Sequence, residues 1–298
     1  MKEILFSPIE EKTMNDKLVN LYGSHIVGLY AAAEEMYKDE HLTKPALPLL
    51  LELQEDEDGN FPYETEAEVR MMVFGRENNN WNDEANRADT SVYTSLTYNF
   101  NLQTSDDILY EIRGKHTESH GKVLDKKDEI YGITDIYTSY CYHDTSVAKA
   151  PFTRRMKQFA SDLQKRLGTT RMEYLWNNLY KIGRGGARHG KCCGQPPAYI
   201  KEMEMRYFDV LREELAILKP DIIIFMTGGT ADNAIIERFD LPNKPFFCID
   251  DSLPYLRRVD IPNVKYAART IHPSTPGVTN ATLEAYNQAL IEDIVKHL

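Results

Sequence analysis

An apolar run, Met71-Met72-Val73-Phe74, stops at Gly75 and gives way to Arg76-Glu77-Asn78-Asn79-Asn80-Trp81-Asn82. A guanidinium, a carboxylate and several amides thus follow the end of one hydrophobic segment. Near the other end of the chain, Tyr266-Ala267-Ala268-Arg269-Thr270-Ile271 runs into His272-Pro273-Ser274-Thr275-Pro276, an imidazole and a hydroxyl in a proline-stiffened turn. Open α/β sheets place ligands beyond the carboxyl ends of their buried parallel strands. These two strand ends are therefore expected to face one pocket.

Three further stretches could contribute. The aromatic segment Arg171–Ile182 carries Asn177 and Asn178 near its downstream end. A buried amide costs free energy unless its donors and acceptor find partners. The pair therefore marks either a binding site or an amide tie between neighbouring loops. Gly183-Arg184-Gly185-Gly186-Ala187-Arg188-His189-Gly190-Lys191 contains no acid. Its glycines allow close approach, and Arg184, Arg188 and Lys191 can meet phosphate, although a solvated loop would read the same way. Thr227-Gly228-Gly229-Thr230 joins a strand to a helix, which presents backbone N–H groups to an anion or simply makes a tight turn.

The elements that would position these residues follow from hydrophobic spacing. Leu18, Leu21, Tyr22, Ile26, Leu29, Tyr30, Ala33 and Met36 predict a long helix over 15–38 with Asn15 as its cap. Lys44–Leu51 is apolar but broken by prolines, so it reads as an extended segment or short helix. The acidic run Glu55–Asn60 reads as a solvated turn. The first core strand is expected over Ala67–Phe74, a helix over Thr90–Phe100, and helix plus exposed loop over Ser105–Lys127. Ile130–Tyr137 alternates and fits strand or loop. Phe152–Leu167 reads as a basic amphipathic helix ending at Gly168. A central strand is expected at Arg171–Ile182, one helix over Pro197–Leu218, a buried strand at Asp221–Met226 and a helix at Ala231–Phe239. Short peripheral strands are expected near Phe246–Ile249 and Leu256–Val259, and a last helix over Asn280–His297. Strands separated by helices predict a three-layer α/β/α sandwich on a mainly parallel four-stranded sheet. The domain division is an N-terminal helical extension, 1–65, packed on an α/β domain, 66–298.

Bulk properties limit the partners. With Lys+Arg 35 against Asp+Glu 46 the net charge is −11, which argues against a broad nucleic-acid-coating surface and leaves room only for local DNA contact. No run approaches the roughly 18 apolar residues of a membrane span, so no membrane association is expected. Cys141, Cys192, Cys193 and Cys248 match neither a zinc nor a disulfide spacing. With no signal segment apparent, they predict reduced thiols, no metal, no cofactor and a cytoplasmic monomer.

At its two edges the chain resembles the uracil-DNA glycosylase superfamily. Members of that family carry G-Q-D-P-Y or G-M-N-P-G-P-W-G after the first core strand and H-P-S-P after the last. Here Gly75–Asn82 keeps the glycine and the tryptophan spacing, and His272-Pro273-Ser274 keeps H-P-S. The Asn177 strand edge and the Leu218–Ile224 strand fall between them in family order, so the resemblance covers about 66 to the C-terminus.

The resemblance implies a glycosylase that flips a uracil or related base out of DNA and hydrolyses its N-glycosidic bond. That reaction builds positive charge on the sugar and negative charge on the base, and needs an amide to read the base edge. By resemblance Glu77 stands where a water-activating Asp or Asn belongs, and His272 where a donor to the base oxygen belongs. Asn177, or else Asn178, would read the base. Trp81, Asn79 and Gly75 would border it, and Ser274, Gly228 and Gly229 would meet phosphates. The chain also departs from the pattern. Glutamate moves the carboxylate by ~1.5 Å. Asn78 replaces the motif proline, Asn79 replaces tyrosine or glycine, Thr275-Pro276-Gly277 supplies no apolar wedge, and the iron–sulfur cysteines of some branches are missing. These departures open a second reading, a non-catalytic or repurposed member that binds a nucleobase, nucleotide or protein partner in the same pocket.

Overall fold

The computed structural model describes residues 12–77, 98–113, 118–119, 122–123, 137, 151–184, 196–242 and 244–298. The first helix, α1 (Met14–Lys38), starts one residue before the predicted position. Its cap is Thr13, whose hydroxyl accepts the Asp16 N–H while the Asp16 carboxylate accepts the Thr13 N–H, a reciprocal capping box. The expected cap, Asn15, is spent elsewhere: its amide makes a two-way bond with the Leu53 backbone, at 3.0 and 2.8 Å. That ties the helix to the extended segment that follows.

Strand β1 (Val69–Glu77) is longer than its apolar run and carries Gly75, Arg76 and Glu77 inside the ladder. Helices α2 (Ser105–Arg113) and α3 (Pro151–Leu167) precede β2 (Met172–Tyr180), and α3 stops at Gly168, whose φ is +68°. The single helix expected over Pro197–Leu218 is instead two, α4 (Ala198–Tyr207) and α5 (Leu211–Leu218). The break falls at Phe208, which is fully buried with its ring stacked on Tyr22 at 6.0 Å. A continuous helix would hold Glu204 and Glu214 about 15 Å apart along its axis. With the break, both carboxylates reach Lys181.

Strand β3 (Ile222–Phe225) is buried throughout, as an all-apolar run covered on both faces must be. After it come α6 (Asp232–Phe239), β4 (Phe246–Cys248), β5 (Arg257–Val259), β6 (Tyr266–Arg269) and α7 (Asn280–His297). The six strands form one mixed sheet in the order β2-β1-β3-β6-β5-β4. β2, β1, β3 and β6 run parallel, while β5 and β4 extend the sheet antiparallel. The expected peripheral strands thus belong to the main sheet, which among the described residues has six strands rather than four.

β2 is not central: it is the outermost strand of the parallel ladder. The chain just past its end is held by the segment before β1, where the Ala46 N–H donates to Gly183 O (3.0 Å) and the Leu49 N–H to Lys181 O (2.8 Å). The prolines of that segment suit it to an edge, because they have no N–H to give. The helix expected at Thr90–Phe100 and the alternating stretch Ile130–Tyr137 lie outside the described residues, apart from Tyr98–Phe100 and Tyr137.

Helices lie against both faces of the sheet. Phe74 meets Phe239 of α6 on one face, with ring centroids 5.8 Å apart. Phe152 of α3 approaches Gly75 on the other. Leu18, Tyr22, Ile26 and Leu29 of α1 are buried in the same continuous core as β1 and β3. Among the described residues no helix is long and apolar enough to cross a membrane.

Candidate functional site

The strand order creates a switch point of the kind at which open parallel sheets hold ligands. From β1 the chain goes to β2 on one side, then crosses to β3 on the other, so the connections diverge above the carboxyl ends of β1 and β3. In open parallel sheets this divergence is where ligands bind. Gly75, Arg76 and Glu77 close β1 at this edge, and Met226 follows β3, donating its N–H to Phe74 O at 3.0 Å. The chain after β6 arrives beside them: the Thr270 N–H donates to Phe225 O and the Gly228 N–H to Thr270 O. At Gly228, with φ +65°, a Cβ would sit 3.9 Å from the His272 backbone nitrogen. The strand ends expected to share a pocket therefore do lie side by side.

The two asparagines part company. Pairing sets Asn177 beside Phe74 and Asn178 beside Gly75, and consecutive strand residues point to opposite faces. Asn177 turns into the helical layer of α1, α4, α5 and α6. There its Nδ2 donates to Glu214 (3.0 Å), and its Oδ1 accepts from Lys181 Nζ (2.7 Å) and from the Asn178 N–H (2.8 Å). Lys181 and Glu214 form an ion pair at 2.7 Å, both completely buried, and the Tyr22 hydroxyl donates to Glu214 at 2.8 Å. Glu204 accepts the Lys181 and Ile182 N–H groups and pairs with Arg238. Burial pulls the Lys181 ammonium below its ordinary range, opposed by Glu214, and pushes the Glu204 carboxyl up, opposed by Arg238. Asn177 is thus an interior tie.

Asn178 turns to the opposite face. The Trp176 indole N–H donates to its Oδ1 at 3.2 Å, and a Cβ on Gly75 would come within 2.5 Å of that oxygen. Trp176 is stacked on Tyr137 at 6.2 Å, and the Tyr137 hydroxyl donates to Trp176 O. Phe152, in the first turn of α3, links this group to the histidine: its ring lies 6.2 Å from Trp176 and 5.9 Å from His272.

The protonation of His272 is set locally. The Ser274 backbone N–H, which can only donate, points at Nδ1 at 3.1 Å. Nδ1 is therefore an acceptor, and the neutral ring carries its proton on Nε2. Burial lowers the imidazole pKa to about 4, with the nearby Arg76 guanidinium adding to the shift. At neutral pH His272 is an uncharged N–H donor in a positive local field.

The remaining predicted residues divide as follows. Glu77 is the last residue of β1, paired with Tyr180. Gly229 lies against Tyr255 and the Arg269 guanidinium, which is itself clamped to Asp232 at 2.9 Å. Ser274 is exposed beside His272, and Arg184 bridges to Pro45 past the end of β2. Asn79, Trp81, Arg188 and Lys191 lie outside the described residues. Sequence reasoning missed Phe152 and Trp176, and gave Arg76, named beside Glu77, no role of its own. Strand alternation could have found Trp176, two residues before Asn178, whereas nothing in the sequence marks Phe152 as more than an apolar residue of α3.

No protein-family model matches the chain, and no curated protein matches it. Among the described residues no group of three or more His, Cys, Asp or Glu side chains could hold a metal ion.

Proposed function

We propose that the crevice binds a nucleobase flipped out of DNA and hydrolyses its N-glycosidic bond, with uracil or another deaminated base as the substrate class. The observation that carries this reading is His272, neutral and held by the Ser274 N–H with its Nε2 proton available. When a glycosidic bond to uracil breaks, negative charge collects on the base oxygens. A fixed neutral donor stabilises that charge, and the Arg76 field that depresses the imidazole pKa favours the same anion. Asn178 Oδ1 accepts the Trp176 indole N–H on the face of β2 opposite the helical layer that takes up Asn177, and it is the amide that would read the base edge. Phe152 and Trp176 would offer aromatic surface to the base, and Glu77, whose backbone ends β1, would by the resemblance supply the carboxylate that orients water toward the sugar. The parallel ladder supports a likeness to the uracil-DNA glycosylase architecture, with β5 and β4 as an addition.

The test is single-turnover base release from oligonucleotides carrying uracil, single-stranded and opposite guanine or adenine. Wild type releases base, Glu77→Gln and His272→Ala each slow release by at least about 100-fold, and both remain folded. A folded wild type that released nothing from uracil-, hypoxanthine- and xanthine-containing strands would overturn the catalytic reading. The second reading, a pocket that binds without cleaving, is favoured by the chain after His272, where Thr275-Pro276-Gly277 supplies no large side chain to fill a vacated base stack. Retention of free uracil by wild type, without release from DNA, would establish it.

A further inference from the structure

A second concave feature lies at the opposite, amino-terminal edge of the sheet. It is a cleft of about 510 Å³ between the ends of α5 and α6 and the turn that leads into β6. Its walls are apolar, built from Leu215, Pro220, Phe239, Ile261 and Val264, with Ala216 at the lip. Its charged lining residues are both cations, Arg212 and Lys219. Of the acids around it, Asp221 holds Lys265 at 2.8 Å, and Asp209 holds Arg238 at 3.2 Å and lies 3.9 Å from Arg212, while Asp240 and Asp260, next in sequence to Phe239 and Ile261, are exposed and are not lining residues.

The backbone adds an independent observation. Lys219 caps α5 in the left-handed region (φ 46°, ψ 57°), where glycine is the ordinary occupant. Asn263 on the facing turn is also left-handed, with φ 64°. Asparagine enters that region readily, but lysine does not. The fold accepts an unfavourable conformation at Lys219 and keeps an ammonium at the lip of an apolar cleft. The helix ends bring partial negative charge of about half an elementary unit each, less than the two full cations beside them. The volume falls in the range of small-molecule sites.

We propose that this cleft binds a small amphipathic anion, a compact apolar body seated against Leu215, Phe239 and Ile261 with a carboxylate-type head on Lys219 and Arg212. The site is remote from the crevice over β1 and β3 and does not depend on the function proposed for it.

The full chain is titrated with the fluorescent sulfonate 1-anilinonaphthalene-8-sulfonate, with octanoate and octan-1-ol as competitors. Wild type binds the dye saturably at one site, and octanoate displaces it at least tenfold more effectively than octanol. Lys219→Gly, which relieves the backbone and keeps the melting temperature at or above that of wild type, weakens dye and octanoate binding about tenfold. Lys219→Arg restores it. Ala216→Trp, a lip substitution on the exposed side of α5, removes the site. Absence of saturable binding, equal displacement by octanol, or unchanged binding in either Lys219→Gly or Ala216→Trp would overturn the proposal.

Discussion

At Gly75 the lack of a side chain is what lets the Asn178 amide lie against β1, since a Cβ there would stand 2.5 Å from Oδ1 and 3.3 Å from the Trp176 indole nitrogen. Gly75→Ala is therefore expected to displace the amide and indole together. It should slow base release by about 100-fold through misplacement of roughly 1 Å, and cost about 1–3 kcal/mol from overpacking. Single-turnover rates and urea midpoints measure the two effects separately. His272 carries a prediction in pH. The unfolded chain takes up a proton near pH 6.5, but the folded imidazole only near about 4. Between these values the unfolded state holds more protons, so stability falls as pH falls. Urea titrations of wild type should lose stability across that window relative to His272→Gln, and a parallel pair of curves would refute the assignment. Much of this was hidden in the sequence for a definite reason. Alternation says that Asn177 and Asn178 face opposite ways, but which face holds the crevice depends on the helices that cover each side. The first preference for Asn177 as the pocket amide gives way to Asn178 on those grounds.

Among the elements, β2 carries the largest consequence. Its downstream end delivers Asn177 and then Lys181 into a dry cluster with Glu214, Glu204, Arg238 and Tyr22. Removing one member strands its partner in a medium that penalises charge. Lys181→Met is expected to destabilise by about 3–5 kcal/mol. Lys181→Met/Glu214→Leu should recover most of that loss, as replacement of whole buried pairs does. Thermal melts of the two variants against wild type decide it. The apolar runs of β1, β3 and β6 and the helices α1, α3 and α7 were legible from period and composition. The break between α4 and α5 was not, because the apolar spacing continues through it and only the inward turn of Glu204 and Glu214 explains it. Strand order was equally out of reach: an aromatic strand with two amides reads as central, and only the pairing shows it at the edge of the sheet.

For the molecule as a whole, a net charge of −11 and the Arg76 guanidinium near His272 mean that, under the proposed function, nucleic acid would be met at a small patch. Each phosphate neutralised contributes about −0.9 to the slope of log affinity against log salt for duplex DNA. A patch of this kind should give a slope no steeper than about −3. Fluorescence anisotropy between 50 and 200 mM salt would measure it, over the interval in which a broad basic interface loses most of its affinity. A slope near −10 would show a wide contact surface instead. The same scale explains why α1 belongs to the fold. Its apolar face and the segment to Leu53 complete one core with the sheet, so the proposed boundary at 65 divides the sequence rather than the packing.

The doubled asparagine in β2 has a consequence for how the sheet checks its own assembly. A strand slipped by one residue sends every side chain to the wrong face. In β2, however, a slip in either direction puts one asparagine where the other belongs, so one amide still meets amide-shaped surroundings. The amides alone are therefore a poor test of alignment. Lys181 discriminates where they do not, since any such slip would pull its ammonium from Glu214 and break a fully buried ion pair. The buried ion pair would thus penalise a slip of the strand that carries Asn178, and with it any misalignment of the residues at the carboxyl edge of the sheet.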